Sequence, residues 1–338
     1  MRPAVLSNSK LLTQLFINGK FVNSRSGATF DVFNPSTEEK IATVQDAQVA
    51  DMEDAVQAAR TAFDKGPWGR MDPGARAKCL YKLADLVEKN QEELAAIESW
   101  NNGKPFEIAK KADLPLTIQC YRYYAGWVDK IHSNVFPLDG PFFSYNIKEP
   151  VGVAAQIIPW NFPLLMQAWK FGPALAAGCT VVMKTSPNTP LSAIKVAELT
   201  NQAGFPPGVI NVLTGHAEAG SYLSTHPKID KVAFTGSTKV GLDIMRSCHV
   251  HNLKRVTLEL GGKSPNIITA HADLEKAIHQ SSMGLFFNSG QCCIAASRTY
   301  VHASIYDKYL ATLVEKVKCN HVGDGFDPNT TIGPLVSR

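Results

Sequence analysis

The feature that most constrains the fold of this chain is an apolar stretch from Val151 to Met183, in which Lys170 is the only charged residue. The stretch is long enough for a membrane helix, which needs about 20 apolar residues. Pro159, Pro163 and Pro173 interrupt it at short intervals, however, and proline breaks a helix interior. We therefore interpret the stretch as a buried strand, a turn, a helix and a second buried strand.

The same alternation of strand and helix patterns continues to residue 260. Parallel strands need crossover connections of this length. The pattern therefore predicts an α/β fold with right-handed βαβ units and a mostly parallel sheet that is covered on both faces. The predicted strands are 151–158, 180–183, 209–213, 231–235 and 255–260, and the predicted helices lie near 163–177, 190–204 and 239–247.

The N-terminal part of the chain shows hairpin and helix patterns. Asn18-Gly19 lies between two apolar pairs, which is the strongest short signal for a hairpin, and Thr29–Phe33 is a further predicted strand. Residues 132–149 form an apolar excursion around Asp139-Gly140, and such a hairpin needs a cover, either a partner subunit or its own domain. Helices are predicted near 50–64, 73–89 and 105–130.

Composition excludes several classes of protein. Seven cysteines with no C-x-x-C pair are too few and too scattered for a secreted disulfide framework or a zinc site, and they indicate free thiols. A net charge of +4 gives no reason to invoke nucleic acid or an anionic membrane as a partner. We predict a cytoplasmic protein without a metal. The first 30 residues contain four basic residues and no acidic one, which keeps mitochondrial import as an alternative.

Polar residues follow the first two predicted strands of the sheet, where ligands bind in folds of this kind. Asn161 lies in the rigid turn Pro159–Pro163 and can donate a hydrogen bond to a substrate oxygen, or it can satisfy the backbone of the turn. Lys184 follows the second strand. It is either a solvated strand end or a contact to the ribose or phosphate of a cofactor.

A glycine loop follows the predicted strand 231–235. Residues 236–241 have the outline of a G-x-G-x-x-G motif, with Thr238 in place of the second glycine. Gly236 permits a tight turn, and the helix behind it offers free N–H groups to an anion. The loop is interpreted either as a dinucleotide-binding loop or as a plain turn between strand and helix.

A carboxylate and a cysteine pair complete the set of candidates. Glu259 ends the last predicted strand beside two glycines, where it is either a general base or an exposed strand residue. Cys292 and Cys293 follow a polar turn, and a helix that began just after them would lower the pKa of a nucleophilic thiol. Buried structural cysteines are the alternative. Together the candidates fit covalent capture of a carbonyl, hydride transfer and hydrolysis.

Five stretches of this sequence occur in the order in which they occur in one family. The sequence resembles the NAD(P)-dependent aldehyde dehydrogenases, and most closely their acetaldehyde- and retinal-oxidising cytosolic and mitochondrial branch. The stretches are Pro159-Trp160-Asn161-Phe162-Pro163-Leu164, Gly172-Pro173-Ala174-Leu175-Ala176, Phe234-Thr235-Gly236-Ser237-Thr238, Leu258-Glu259-Leu260-Gly261-Gly262-Lys263-Ser264-Pro265 and Gly290-Gln291-Cys292-Cys293.

The resemblance implies roles for three groups of residues. Cys293 would attack the aldehyde to give a thiohemiacetal and then a thioester, Asn161 and the Cys293 backbone N–H would form the oxyanion hole, and Glu259 would activate the hydrolytic water. The residues that would bind NAD or NADP are Ile157, Pro159, Trp160, Lys184, Gly215, Gly236, Ser237, Gly241 and Leu260. The residues that would line the substrate tunnel are Phe162, Met166 and Trp169.

Two positions depart from the pattern of the relatives that the chain most resembles. Those relatives have a glutamate three residues after the cofactor lysine, which holds the adenosine ribose hydroxyls, and this chain has Pro187 there. The loop after Thr214 reads Gly215-His216-Ala217 instead of Gly-x-Gly. Loss of the carboxylate weakens NAD recognition and removes repulsion toward a 2′-phosphate. Both NAD and NADP are therefore candidates.

The resemblance also implies a domain organisation. A Rossmann-like NAD(P)-binding domain would comprise residues 1–130 and 151–260, and residues 131–150 would form an oligomerisation hairpin. Residues 261–338 would be the N-terminal part of an incomplete α/β catalytic domain, because family members continue well beyond Arg338. We therefore expect a C-terminally truncated chain, which at full length would form a homo-oligomer.

The expected partner is a small-molecule aldehyde, with no nucleic acid and no membrane. Two alternatives to aldehyde oxidation stay open. The chain could be a catalytically weak or inactive relative with a structural or oligomeric role, which Pro187 favours. It could also be an enzyme that passes the acyl group to a thiol carrier, against which Glu259 argues because hydrolysis is the step that needs a base.

Overall fold

The computed structural model describes residues 3–7 and 9–337. Met1, Arg2, Asn8 and Arg338, which belong to the predicted domains, lie outside the described residues. The N-terminal part contains two hairpins and a helical layer. Its elements are β1 Leu15–Ile17, β2 Lys20–Val22, β3 Thr29–Phe33, β4 Lys40–Gln45, α1 Val49–Asp64, α2 Pro73–Lys89, α3 Gln91–Asn102, α4 Phe106–Ile108, a π-helical turn Ala109–Asp113 and α5 Leu114–Trp127. The apolar excursion that follows is a hairpin of β5 Val135–Phe136 and β6 Ser144–Tyr145.

Strands and helices alternate after this hairpin as the sequence predicts up to residue 260, and further elements follow. The elements are β7 Val153–Ile157, α6 Pro163–Ala176, β8 Thr180–Lys184, α7 Leu191–Ala203, β9 Ile210–Leu213, α8 Ala217–Thr225, β10 Lys231–Gly236, α9 Thr238–Ser247, β11 Arg255–Leu260, β12 Pro265–Ile268, α10 Leu274–Phe286, β13 Arg298–Val301 and α11 Tyr306–Lys318. Short 3₁₀ turns are found at Ala4–Leu6, Trp68–Arg70, Phe287–Gly290 and Ala303–Ile305. The predicted α/β fold is confirmed.

Seven strands form the central sheet in the order β11-β10-β7-β8-β9-β1-β2. The five strands from β11 to β9 are parallel, and the N-terminal hairpin extends the sheet as an antiparallel edge. Three small sheets pair β3 with β4, β5 with β6 and β12 with β13. No helix within the described residues combines the length and the apolar character needed to cross a membrane.

The apolar runs of the sequence are explained by burial on both faces of the sheet. On β8, Val181 and Met183 face a core formed with α2, α5, α6 and α7, whereas Val182 faces a second core formed with α1, α8 and α9. A strand between two such layers has no polar face, and its sequence is therefore continuously apolar.

The prediction that the sheet is covered on both faces is wrong at β11. Val256, Leu258 and Leu260 pack against the second core, but Thr257 and Glu259 on the other face are exposed. This strand is an edge of the sheet, and no helix of the described residues packs over that face. The carboxylate of Glu259 therefore borders an open cavity.

The first strand of the parallel sheet begins two residues later than predicted, at Val153. Gly152 has φ +123°, and a Cβ at this position would lie 1.9 Å from Oδ2 of Asp230. That carboxylate accepts hydrogen bonds from the Val153 N–H at 2.8 Å and from Arg60 at 2.7 Å. The close approach of Asp230 thus requires glycine and sets the start of the strand.

Candidate active site

The predicted site residues lie at one edge of the sheet, where the parallel strands end. In the strand register Ile157 is paired with Lys184, Lys184 with Leu213, and Gly236 with Leu260. The loops that follow these strands therefore emerge side by side, in the position where α/β sheets bind ligands.

Asn161 is held between this edge and the loop that carries the cysteine pair. Its side-chain Nδ2 donates to the backbone carbonyl of Gln291 at 2.9 Å. Its own carbonyl accepts two hydrogen bonds, from Nζ of Lys104 at 3.0 Å and from Nδ2 of Asn288 at 2.9 Å. An amide nitrogen has two protons, so the side chain of Asn161 keeps one donor for a further acceptor.

The backbone before the cysteine pair has an unusual conformation. Asn288, Ser289 and Gly290 have φ angles of 54°, 60° and 75°, so that three successive residues are left-handed. Such conformations persist only where the surroundings hold them in place. Here the hydroxyl of Ser289 donates to the carbonyl of Gly333 at 2.9 Å, and the side-chain oxygen of Gln291 accepts from the Val336 N–H at 3.0 Å.

The two cysteines of this loop have different surroundings. Cys292 packs against the main hydrophobic core, whereas Cys293 is exposed. A Cβ at Gly262 would lie 3.1 Å from the backbone oxygen of Cys293, so the glycines after β11 let the cysteine loop approach the strand that carries Glu259. Cys293 is thus the accessible thiol next to a carboxylate.

No helix begins directly after Cys293, so the condition under which a helix terminus would lower the pKa of the thiol is not met. The chain makes a turn from Cys292 to Ala295 and continues into β13, because this segment is needed to pair with β12. Partial burial raises the pKa of the Cys293 thiol, and the neighbouring Cys292 and Glu259 raise it further. A helix terminus therefore does not activate this thiol, and a nearby base has to accept its proton.

Lys170 is a member of the site that motif reasoning missed. Its Nζ donates to Oγ1 of Thr235 at 2.8 Å. Burial lowers the pKa of Lys170 to about 8, although the negative charge of Glu259 acts to raise it. A signal was present, because Lys170 is the only charge in the apolar stretch on which the fold prediction rests.

A cavity of about 760 Å³ opens beside Glu259 between α5, α6 and the sheet. Two of the three predicted tunnel residues, Met166 and Trp169, line it. Phe162 is instead buried, and its ring stacks on Phe287 with 6.0 Å between centroids. α5 contributes further lining residues that sequence reasoning did not include, namely Leu116, Gln119, Cys120, Tyr123 and Tyr124.

Lys184 carries the strongest indication of a cofactor site. It is buried, its pKa is lowered to about 8 by burial against the opposing charges of Glu218 and Asp46, and its ammonium has no hydrogen-bond partner among residues 3–7 and 9–337. A Cβ at Gly220 would lie 3.6 Å from Ile157 and 3.7 Å from Lys184, so both side chains border the start of α8. The ammonium is not among the fully buried unpartnered atoms of the described residues, and a cation without a partner at the end of a buried side chain suits ribose hydroxyls or a phosphate.

The glycine loop after β10 forms the other part of this region. A Cβ at Gly241 would lie 2.7 Å from Cδ2 of Leu260, and Ser237 caps α9 by accepting from the Val240 N–H at 3.3 Å. The free N–H groups of the first turn of this ten-residue helix can bind an anion. These residues fit a dinucleotide.

Three predicted cofactor residues remain, and their contact with a cofactor stays a prediction. Pro159 and Trp160 are half-buried, and Gly215 begins the turn into α8. Pro187, which departs from the pattern of the relatives that the chain resembles, borders a cavity with Asp31 and Phe33. Within the described residues, no group of three or more histidine, cysteine or acidic side chains could hold a metal ion.

Comparisons with known proteins identify the family of the chain. The family model "Aldehyde dehydrogenase family" matches residues 21–338. The chain belongs to the aldehyde dehydrogenase family.

Particular relatives are similar over nearly the whole chain. An aldehyde dehydrogenase of Alternaria alternata is 55% identical over 327 residues, which are 96% of this chain and 66% of that protein. Human retinal dehydrogenase 2 is 53% identical over 328 residues, or 96% of this chain and 63% of that protein. The NAD⁺ complex structure of aldehyde dehydrogenase from Bacillus cereus superposes with a TM-score of 0.96 at 48% identity, covering all of this chain and 69% of that one. The chain thus spans about two thirds of the length of its relatives.

Proposed function

We propose that this protein oxidises an aldehyde to a carboxylate with NAD⁺ or NADP⁺ through a covalent intermediate on Cys293. The observation that carries the proposal is the hydrogen bond between the Asn161 side chain and the Gln291 carbonyl. It brings a polar amide donor to the loop of an exposed thiol, next to the strand that ends in Glu259. Three groups suited to one reaction thereby converge from distant parts of the chain.

Each of these groups has a defined task in the reaction. The Cys293 sulfur bonds to the aldehyde carbon, and the carbonyl electron pair moves to oxygen, where Asn161 and the Cys293 N–H stabilise the charge. Loss of the aldehyde hydrogen as hydride restores the carbonyl as a thioester. Glu259 then takes a proton from water, which attacks the thioester and releases the carboxylate with regeneration of the thiolate.

The raised pKa of Cys293 makes a base necessary in the first step as well. Glu259 lines the cavity and is close enough to Cys293 to raise the pKa of its thiol, and it can accept the thiol proton before it serves the water. Lys170 and Thr235 are hydrogen-bonded to each other and line the same cavity.

The cofactor, when bound, accepts the hydride. Lys184, the N-terminus of α9 and the glycines of its loop would hold it, and Ile157, Pro159, Trp160, Gly215 and Leu260 would border it. The similar aldehyde dehydrogenase structure from Bacillus cereus is an NAD⁺ complex, which supports NAD for this chain. Pro187 supports NADP as the alternative, since it replaces the glutamate that holds the ribose hydroxyls in the relatives that the chain resembles.

The proposal extends to the organisation of the protein. The predicted domains 1–130 with 151–260, and 261–338, agree with a cofactor sheet followed by the elements of the cysteine loop. The hairpin 131–150 exposes Phe142 and Phe143 by 71% and 76%, which supports its role as an oligomerisation arm. Free thiols support a reducing compartment, and we retain the cytoplasm with mitochondria as the alternative.

The experiment measures formation of the reduced cofactor by the wild type, Cys293→Ser and Cys292→Ser. Each protein is tested with NAD⁺ and with NADP⁺ on short, long-chain and aromatic aldehydes. Cys293→Ser should abolish formation of the reduced cofactor. Cys292→Ser is the matched control, and it should retain the wild-type rate. Equal rates in wild type and Cys293→Ser would refute the covalent mechanism. Absence of turnover in the wild type would favour the structural alternative.

A further inference from the structure

A cluster of three ionisable side chains lies in the core beneath the loop that carries Asn161. Glu98, Lys104 and Asp113 are exposed by only 0%, 2% and 1%. None belongs to a motif used above. Burying charges costs free energy unless they are paired, and even well-paired buried ions often stabilise a fold no more than apolar residues would. Their presence therefore calls for an explanation other than stability.

Lys104 is the centre of this cluster. Its Nζ lies 2.5 Å from Oδ2 of Asp113 and 4.0 Å from Oε1 of Glu98. It also lies 4.5 Å from the centroid of the Phe162 ring and donates to the carbonyl of Asn161 at 3.0 Å. Two carboxylates thus hold the ammonium where it can bind the backbone of the Asn161 loop.

The other members of the cluster serve the same loop. Glu98 accepts the backbone N–H of Leu164 at 3.3 Å. Asp113 ends the π-helical turn Ala109–Asp113, a kind of irregularity that is frequent at functional sites. The cluster therefore contacts the chain on both sides of Phe162, at the start of α6.

A second hydrogen bond reaches the same carbonyl from the cysteine loop. Nδ2 of Asn288 donates to the Asn161 oxygen at 2.9 Å. The peptide after Asn161 is consequently held from the core by Lys104 and from the cysteine loop by Asn288. With that peptide fixed, the Asn161 side chain points to the Gln291 carbonyl.

We propose that Lys104 is a positioning residue for the oxyanion hole, acting through its hydrogen bond to the carbonyl of Asn161. This inference rests on the proposed function, in which the Asn161 amide stabilises the oxyanion. Without the cation the peptide at 161–162 is free to shift. A displacement of about 1 Å at a catalytic group can cost about 10²-fold in rate.

The test uses two reactions of Cys293 in the 338-residue chain. Acylation by 4-nitrophenyl acetate passes through a tetrahedral oxyanion, whereas alkylation by iodoacetamide displaces iodide from a saturated carbon and forms none. Lys104→Met keeps an unbranched side chain that is one atom shorter and removes its charge. We expect acylation to fall about 10²-fold while alkylation stays at the wild-type rate.

Lys110→Met is the matched control. Lys110 also lies over an aromatic ring, 5.6 Å from the centroid of Phe106, and also pairs with a carboxylate, Glu92, at 3.3 Å. It has no contact with the Asn161 loop, and its replacement should leave both rates unchanged. Equal loss of both reactions in Lys104→Met, or loss of neither, would overturn the proposal.

A second variant keeps the proposal testable if Lys104→Met does not fold. Asn288→Gly removes the other donor to the Asn161 carbonyl, and glycine tolerates φ 54° at this position. We expect the same selective loss of acylation. The double variant should lose less than the product of the two single losses, because both act on one peptide. If the loss in the double variant equalled the product of the two single losses, Lys104 and Asn288 would act independently, which would contradict their shared role in holding the Asn161 peptide.

The proposed function can fail separately. If the wild type is not acylated at all, the catalytic proposal falls, and hydrogen exchange then decides the positioning claim. The amides of Leu164 and Met166 should exchange faster in Lys104→Met than in wild type or Lys110→Met. Unchanged exchange would overturn the claim.

Discussion

Replacement of Asn161 by alanine separates its catalytic contribution from its structural one. The side chain is half-buried and makes one hydrogen bond, to the Gln291 carbonyl, which Asn288 also reaches at 3.3 Å. Because that carbonyl keeps a donor, Asn161→Ala should lower the free energy of unfolding by only about 1 kcal/mol. Loss of an oxyanion donor, in contrast, should lower the rate by about 10²–10³-fold, or about 3–4 kcal/mol of transition-state stabilisation.

The assay for this prediction measures reduced cofactor and acylation by 4-nitrophenyl acetate, together with urea unfolding. Asn266→Ala is the control, because Asn266 is also half-buried and its side chain makes one hydrogen bond, to Ser281 of α10 at 2.7 Å. Asn266 lies on β12, which belongs to a different sheet. This variant should show the same small loss of stability without the loss of rate. A fall of less than about tenfold in Asn161→Ala would refute the assignment of Asn161 to the oxyanion hole.

Three further predictions concern the fold, the cofactor region and the buried ions. Gly152→Ala should lower the free energy of unfolding by at least about 2 kcal/mol in urea titration, because its Cβ displaces the Asp230 carboxylate; an unchanged midpoint contradicts this. Lys184→Met should weaken cofactor binding by about 10–100-fold in fluorescence titration, and equal affinity would remove Lys184 from the site. Burial raises the pKa of Glu98 from 4.5 to about 7, although Lys104 opposes this. The contribution of protonated Glu98 to stability is therefore complete below pH 4.5 and is lost as pH rises through 7, by about 3 kcal/mol. Glu98→Gln should be less sensitive to pH over this window, and an identical pH profile would contradict the raised pKa.

Periodicity predicted the parallel sheet well because burial on both faces leaves a local trace in the sequence. The continuous apolar residues of β8 and the alternation of β11 are visible without any tertiary information. β4 and α3 were missed. The six residues of β4 contain one buried side chain, Val44, and α3 follows α2 after the single residue Asn90. One buried residue is too little to indicate a strand, and a one-residue gap is too short to show that two helices are separate.

The site was predictable by residue type but not by environment. Motif order identified Asn161, Glu259 and Cys293. Whether a helix terminus activates the thiol was not predictable, because the choice between a helix and a strand after Cys293 depends on pairing with β12. The contact between Lys104 and Asn161 joins residues 57 positions apart, and no local pattern encodes it.

The most direct test of the central claim is the identity of the residue that carries the acyl group. Glu259→Gln removes the base for hydrolysis, and incubation at alkaline pH ionises the Cys293 thiol without that base, so the thioester should accumulate when this variant is incubated with an aldehyde and NAD⁺ or NADP⁺. Mass spectrometry of the digested protein should then find the acyl mass on Cys293. An adduct on Cys292, or no adduct while the reduced cofactor still forms, would contradict the account.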